Sequence, residues 1–265
     1  MSKIYIQPPN YDSFDKFLEY AKEYDYNLEI ASFAYSNLLD TNWQKILKDH
    51  QQKLHDFKGI ISLHGAFQDL IIHSRDNKIR EVAKDRIFQN LDIAKVLNAK
   101  YVVFHGNFNP LITHESYKQN WIEQNVSFWS KVLDKYQIVV LLENLWESRP
   151  DIYRKLLDRV NSSRLKICFD MGHANIFSKA PLEEWIAVLR EGIVYMHVND
   201  NEGDIDNELV PGEGNINWHE YSDQIEKYQI APGIVFEVGT LEKTIQSLKY
   251  FREKNIYPLN VYGSN

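Results

Sequence analysis

Eight short apolar runs, each followed by a longer segment of helical spacing, leave this chain few folds to choose from. The runs are "KIYIQP" (3–8), "NLEIAS" (27–32), "GIISLHG" (59–65), "KYVVFHG" (100–106), "IVVLLEN" (138–144), "LKICFDMG" (165–172), "IVYMHVN" (193–199) and "GIVFEVG" (233–239). Most are β-branched or aromatic and end at Gly, Asn or Asp, as strands do. Most are nearly continuous in apolar character, as expected of parallel strands covered on both faces. Between them, "DSFDKFLEYAKEY" offers Asp12 and Ser13 as caps and repeats Phe14, Phe17, Leu18 and Ala21 on one face. "DNKIREVAKDRIFQNLDIAKVLN" carries a stripe of Ile79, Val82, Ile87, Leu91 and Ala94. "THESYKQNWIEQNVSFWSKVLDKY" and "TLEKTIQSLKYFREK" are similar, and "SKAPLEEWIAVLREG" has Pro181 near its start and Gly192 past its end. Strand then helix, eight times, requires crossover connections and a parallel sheet. Eight such units in 265 residues match the repeat count and size of an α/β (β/α)8 TIM barrel. No Pro/Gly/Ser-rich linker divides the chain, so residues 1–265 read as one barrel domain.

Composition narrows the function classes. The hydrophobic fraction of 44% and charged fraction of 25% are ordinary for a globular chain. No apolar run approaches the roughly 20 residues that cross a bilayer, and "MSKIYIQPPNYDSF" lacks the apolar core and cleavage site of a signal peptide. The single cysteine, Cys168, excludes an internal disulfide and, without an export signal, predicts a cytoplasmic location. Within "LKICFD" it reads as a small buried side chain. A net charge of −7 argues against a dominant nucleic-acid surface, while leaving a local basic groove open.

In a parallel barrel the chemistry sits at the C-terminal strand ends. Strand three ends in His64, strand four in His105 and strand five in Glu143. Strand six ends in Asp170 with His173 three residues on, strand seven in His197 and strand eight in Glu237. Imidazole or carboxylate thus reaches one rim from six successive strands with no balancing Lys or Arg. Converging carboxylates repel and titrate upward, and a bound divalent cation relieves this. Imidazole mixed with carboxylate suits zinc, manganese, iron or cobalt better than calcium or magnesium. The loop after strand seven, "NDNEGDIDNELVPGEGNINW" (199–218), faces the same rim. In an extended loop Asp206 and Glu208 would share one side, and "PGEG" would bend the chain after them. A merely solvated acidic loop is the alternative.

The order "HG" at His64, "FHG" at His105, "LEN" at Glu143, "FDMGH" at 170–173, "HVND" from His197, "PGEG" at 211–214 and "FEV" at Glu237 resembles the xylose isomerase-like barrel superfamily, over nearly the whole chain. That superfamily includes sugar and sugar-phosphate isomerases and epimerases, and endonuclease IV. The resemblance implies a metal site of Glu143, Asp170, His197 and Glu237. It implies a second set of His64, His105 and Glu143 as in endonuclease IV, and a third at His173, Asp206 and Glu208, where relatives carry histidine at the last position. One to three zinc or manganese ions follow. As an isomerase or epimerase of a small sugar or sugar phosphate, the protein would stabilise an enediolate with the metal as Lewis acid. Glu143 and Glu237 would move the proton, and His173 would touch a substrate hydroxyl. The alternative is an endonuclease IV-like, zinc-dependent phosphodiester hydrolase. Against it stand the acidic balance and a segment "ENLWESRPDIYRKLLD" without that nuclease's Gly-rich stretch. A barrel that has lost catalysis ranks last, since Glu143 and Glu237 are both present. Substrate choice lies in loops that include Gln7, Glu29 and Ser32, with Phe67, Phe108, Trp146 and Phe177 just past strand ends. Arg149 reads as a surface residue, and a homo-oligomer stays open.

Overall fold

A computed structural model describes residues 3–262. Eight strands, β1 (Ile4–Ile6), β2 (Asn27–Ile30), β3 (Ile61–His64), β4 (Tyr101–His105), β5 (Val139–Glu143), β6 (Leu165–Asp170), β7 (Ile193–Val198) and β8 (Gly233–Phe236), close into a barrel in sequence order. Every neighbouring pair is parallel, and β1 pairs with β8 to seal the ring. All eight expected strands are present, each shorter than its apolar run.

The helices are α1 (Phe14–Glu23), α2 (Ser36–Leu39), α3 (Trp43–Lys53), α4 (Asn77–Val96), α5 (Glu115–Lys135), α6 (Asp151–Val160), α7 (Met171–Phe177), α8 (Leu182–Leu189), α9 (Trp218–Lys227) and α10 (Leu241–Glu253). Two details differ from the sequence expectation. Ser13 occupies the cap position of α1 but its side chain caps nothing; Ser13 N and Oγ bond back to Asn10 Oδ1 and O, at 3.0 and 3.1 Å. In α4 the buried face is Ala83, Ile87, Leu91 and Ala94, whereas Ile79 and Val82 are exposed. Val82 lies about 100° around the helix from Ala83, and Ile79 belongs to the first turn.

Strand alternation explains why the rim is polar. Outward residues such as Ile4, Ile6, Leu28, Ile30, Val102 and Phe104 join the large core between sheet and helices. Inward residues Tyr5, Val103, Leu141, Cys168, Tyr195 and Val235 form a separate plug inside the barrel. Side chains two residues apart share a face. One step further along, therefore, the same six strands present Gln7, His105, Glu143, Asp170, His197 and Glu237 above the plug. In β2 and β3 the pairs are Asn27 with Glu29 and Ser62 with His64, and Ser62 Oγ closes onto Tyr195 OH at 2.6 Å. Register keeps these layers level from β4 to β5, where His105 stands beside Glu143, and from β6 to β7, where Asp170 stands beside His197, and steps by one layer from β5 to β6, where Glu143 stands beside Cys168. Glu237 follows the last residue of β8 and still donates its N–H to Val198 O at 3.2 Å.

Candidate functional site

Four imidazoles gather around the fully buried Glu143. Its Oε2 lies 3.5 Å from His64 Nε2, 3.3 Å from His105 Nε2 and 3.3 Å from His197 Nδ1, and its Oε1 lies 3.1 Å from His173 Nδ1. His197 Nδ1 is also 3.0 Å from Glu237 Oε2 and 3.9 Å from Asp170 Oδ2. None of the contacts around Glu143 and His197 is aligned as a hydrogen bond. Both carboxylate oxygens of Glu143 and both ring nitrogens of His197 are buried without a hydrogen-bond partner.

Local structure fixes the flanking groups. Asp170 ends β6 and caps α7, its Oδ1 accepting His173 N at 2.6 Å, which seats His173 one turn on. Asn144 clamps the Asp170 backbone through two 2.9 Å bonds. Gly172 is required here, because a Cβ would fall 1.9 Å from Asn199 Oδ1. The His173 ring is held from both sides, Nδ1 2.9 Å from Asn144 O and Nε2 3.2 Å from Asp206 Oδ2.

The loop after β7 is organised by Asp200, a buried residue passed over in the sequence. Its carboxylate accepts the N–H groups of Asn201, Gly212 and Ile216 and the Trp218 indole N–H, at 2.9, 2.7, 3.2 and 2.9 Å. Its backbone forms an antiparallel bridge with Leu209. Asp206 and Glu208 do reach one pocket, but not as an extended pair: Glu208 has φ +46°, so a turn brings them together. The expected bend at "PGEG" is present, with Gly212 at φ +93°.

Electrostatics follow from the crowding. Burial opposes ionisation of Glu143, yet His105 and His197 outweigh it and hold the carboxyl well below its usual range. Burial likewise opposes charge on His64, but Glu143 prevails and raises it to about 9. His105 goes the other way: burial lowers it, and the nearby His64 and His173 add to that. Burial raises Asp170 to about 7, with Glu143 and Glu237 contributing. Burial also raises Glu208 to about 7, helped by Glu237, Asp206 and Asp170.

These residues fit a divalent cation. Glu143, Asp170, His197 and Glu237 offer ligand atoms all within 4.8 Å of one another, and so do His64, His105 and Glu143. The orphaned atoms of Glu143 and His197 are what a cation would satisfy, and three carboxylates with an imidazole suit zinc or manganese. Among the described residues, no such group includes Asp206 or Glu208.

Residues 18–254 match a family model described as the xylose isomerase-like TIM barrel. The chain belongs to that family. The uncharacterized protein MJ1311 of Methanocaldococcus jannaschii is 27% identical over 203 residues, 73% of this chain and 69% of that protein. A solved D-tagatose 3-epimerase-like protein superposes at a TM-score of 0.79 with 22% identity, covering 98% of this chain and 99% of its own. The IolI protein with a binding zinc atom superposes at 0.74 with 15% identity, covering all of both chains. At these identities the structural likeness speaks for the fold.

In this xylose isomerase-like barrel a pocket of about 180 Å³ opens over the ligand groups. Its wall includes His64, His105, Glu143, His173, Asp206, Glu208 and Glu237, and also Gln7, Tyr35, Phe67 and Asn199. Of the four aromatics past strand ends, Phe67 alone is in the wall, its ring 5.1 Å from that of His105. Phe108 instead packs on Tyr117 and Trp121. Ser32 bonds His50 away from the pocket, and Arg149 is a surface residue paired with Asp151 and Glu184. Glu29, left open by the sequence, is fully buried with its Oε1 2.9 Å from His197 Nε2. The period of two after the inward Tyr5 and Asn27 is the signal that points to Gln7 and Glu29.

Proposed function

We propose that the chain is a metal-dependent isomerase or epimerase of a small, unphosphorylated sugar. One observation carries the reading: of Glu143, Asp170, His197 and Glu237, only the two glutamates line the pocket. Glu143 extends β5 and Glu237 follows β8, so the two carboxylates approach a seated substrate from different parts of the ring.

A divalent cation held by Glu143, Asp170, His197 and Glu237 would supply Lewis-acid polarisation of a carbonyl. The remaining steps belong to side chains. Both glutamates favour the ionised form: burial opposes it at Glu237, but His197 and His64 prevail and hold that carboxyl at about 2. The ionised glutamate on one face takes the proton from the carbon beside the carbonyl and is left protonated; the other carboxyl, having taken a proton from solvent, delivers it to the opposite face and is left ionised, which inverts that carbon. His173, with its ring nitrogens on Asn144 O and Asp206 Oδ2, would hold the Asp206 carboxylate at the pocket wall, where that carboxylate can accept from a substrate hydroxyl. Tyr35, Phe67 and Ala34 supply apolar wall for the C–H face of a sugar.

The wall contains Glu143, Glu237, Asp206 and Glu208 and no Lys or Arg. Among the wall residues a dianionic phosphate would find no guanidinium or ammonium partner, only the imidazoles and the bound cation against four carboxylates. This favours neutral ketoses over their phosphates. The endonuclease IV-like reading draws support from the His64, His105 and Glu143 group, but the same acidic wall opposes a phosphodiester.

Elemental analysis of protein purified without added metal, joined to a screen of ketoses, ketose phosphates and abasic-site DNA, tests the reading. One ion per chain with conversion of a free ketose supports it. Two or three zinc ions with DNA cleavage transfers the protein to the hydrolase class, and the absence of bound metal ends the metal-based account.

A further inference from the structure

His197 has two ring nitrogens, and they face different groups. Nδ1 is turned to Glu143, Glu237 and Asp170. Nε2 lies 2.9 Å from Glu29 Oε1 on the inner side of the barrel. Glu29 ends no helix and accepts no backbone N–H among the described residues; its one hydrogen-bond partner there is Gln7, whose Nε2 donates to Glu29 Oε1 at 2.9 Å and to Glu237 Oε1 at 3.0 Å. The other oxygen, Oε2, is buried without a partner. A carboxylate placed this way costs several kcal/mol of desolvation unless it serves a charged neighbour, and packing alone would be better met by a hydrocarbon side chain.

We infer that Glu29 is a positioning residue: it accepts the Nε2–H of His197 and so keeps the imidazole lone pair on Nδ1, the nitrogen that faces the three carboxylates. This rests on the reading that those carboxylates and His197 hold a divalent cation. An imidazole binds a cation through one unprotonated nitrogen, so the proton must sit on the other, and the acceptor beside that other nitrogen sets both tautomer and ring orientation. The contact is short but oblique, since Nε2 lacks an aligned hydrogen bond. Cys168 also borders His197, but a thiol is a weak acceptor beside a carboxylate. Gln7 completes the arrangement by tying Glu29 to Glu237, so that Oε1 of Glu237 is engaged from below and Oε2 faces His197 Nδ1.

The test is zinc affinity measured by competition with a chromophoric chelator, on folded wild type, E29A and E29Q, together with the ring N–H signal of His197 in the zinc-loaded proteins by ¹H–¹⁵N NMR. Wild type should show a protected, downfield Nε2–H. E29A should lose that protection and bind zinc about 10–100-fold more weakly. E29Q keeps an acceptor oxygen, so it should retain the signal and lose less affinity than E29A. A merely structural Glu29 would lower the melting temperature and leave affinity and signal unchanged in the folded fraction, and that result overturns the inference. If E29A does not fold, E29L decides, since it keeps side-chain bulk and removes the acceptor: weaker zinc binding than wild type supports the role, and wild-type affinity in the folded protein overturns it. Should wild type itself take up no zinc, the metal reading fails with it; zinc uptake equal in wild type and variants removes only the role of Glu29.

Discussion

Asp206 Oδ2 lies 3.2 Å from His173 Nε2, and this contact joins the loop after β7 to the helix after β6 across the rim. His173 is pinned on its other nitrogen by Asn144 O, so Asp206 sets the last degree of freedom of the ring. The Asp206 side chain is 38% exposed, which limits its weight in folding. D206A is expected to raise KM roughly tenfold, the loss of one charge-assisted hydrogen bond, with little change in kcat or Tm. Steady-state kinetics on the sugar substrate, paired with thermal melting, checks the split.

Asp200 is a different case, because its carboxylate is fully buried and accepts four donors. D200A strands those N–H groups, and D200N substitutes a donor for one of the acceptors they need. Both are expected to cost about 3 kcal/mol or more and to release the segment that carries Asp206 and Glu208. Urea denaturation measures the first effect and hydrogen exchange in residues 200–216 the second.

Two histidines outside the pocket predict acid sensitivity. Burial pushes His50 and His73 each down to about 4, so both are neutral in the folded protein. In the unfolded chain they titrate near 6.5, so between about 6.5 and 4 the unfolded state binds more protons. Stability is therefore full above that window and falls as pH drops through it, by up to about 3 kcal/mol per histidine. H50F keeps a ring among Phe14 and Phe33 and removes the proton site. Urea midpoints from pH 7.5 to 4.5 should fall less steeply for H50F than for wild type, whatever its stability at neutral pH.

Glu143 ties the electrostatics to the chemistry. Its carboxylate outweighs burial to hold His64 at about 9 in metal-free protein. E143Q should bring the His64 titration down, as read by NMR. At saturating metal, E143Q and E237Q should each lower kcat by about 10²–10⁴, while D151N, at an exposed residue paired with Arg149, should leave it unchanged.

The barrel was readable because its strands are buried on both faces: eight apolar runs cannot be hidden in a chain that otherwise turns polar every few residues. The six titratable strand ends were readable for the same reason, as a carboxylate or imidazole closing an apolar run stands out. Gln7 and Glu29 were harder to assign. β1 and β2 are short, and only the inward alternation from Tyr5 and Asn27 separates these two from ordinary loop residues. Asp200 was lost among the acidic residues of its loop, since nothing local distinguishes a carboxylate that accepts four buried donors from one that faces water. Glu208 lines the pocket, as its spacing from Asp206 suggested, but through a left-handed backbone next to the Asp200–Leu209 bridge rather than an extended one, and spacing does not reveal that.

Solvent deuterium exchange tests the central claim most directly. Metal-loaded protein is incubated in D₂O with a panel of free ketoses and ketose phosphates, and products are read by mass spectrometry and NMR. The account predicts one deuteron at the carbon beside the carbonyl of a free ketose, abolished by chelation and by E143Q or E237Q, with the matching phosphate exchanging far more slowly. Exchange that persists after the metal is stripped, or that survives in both glutamate variants, would contradict it.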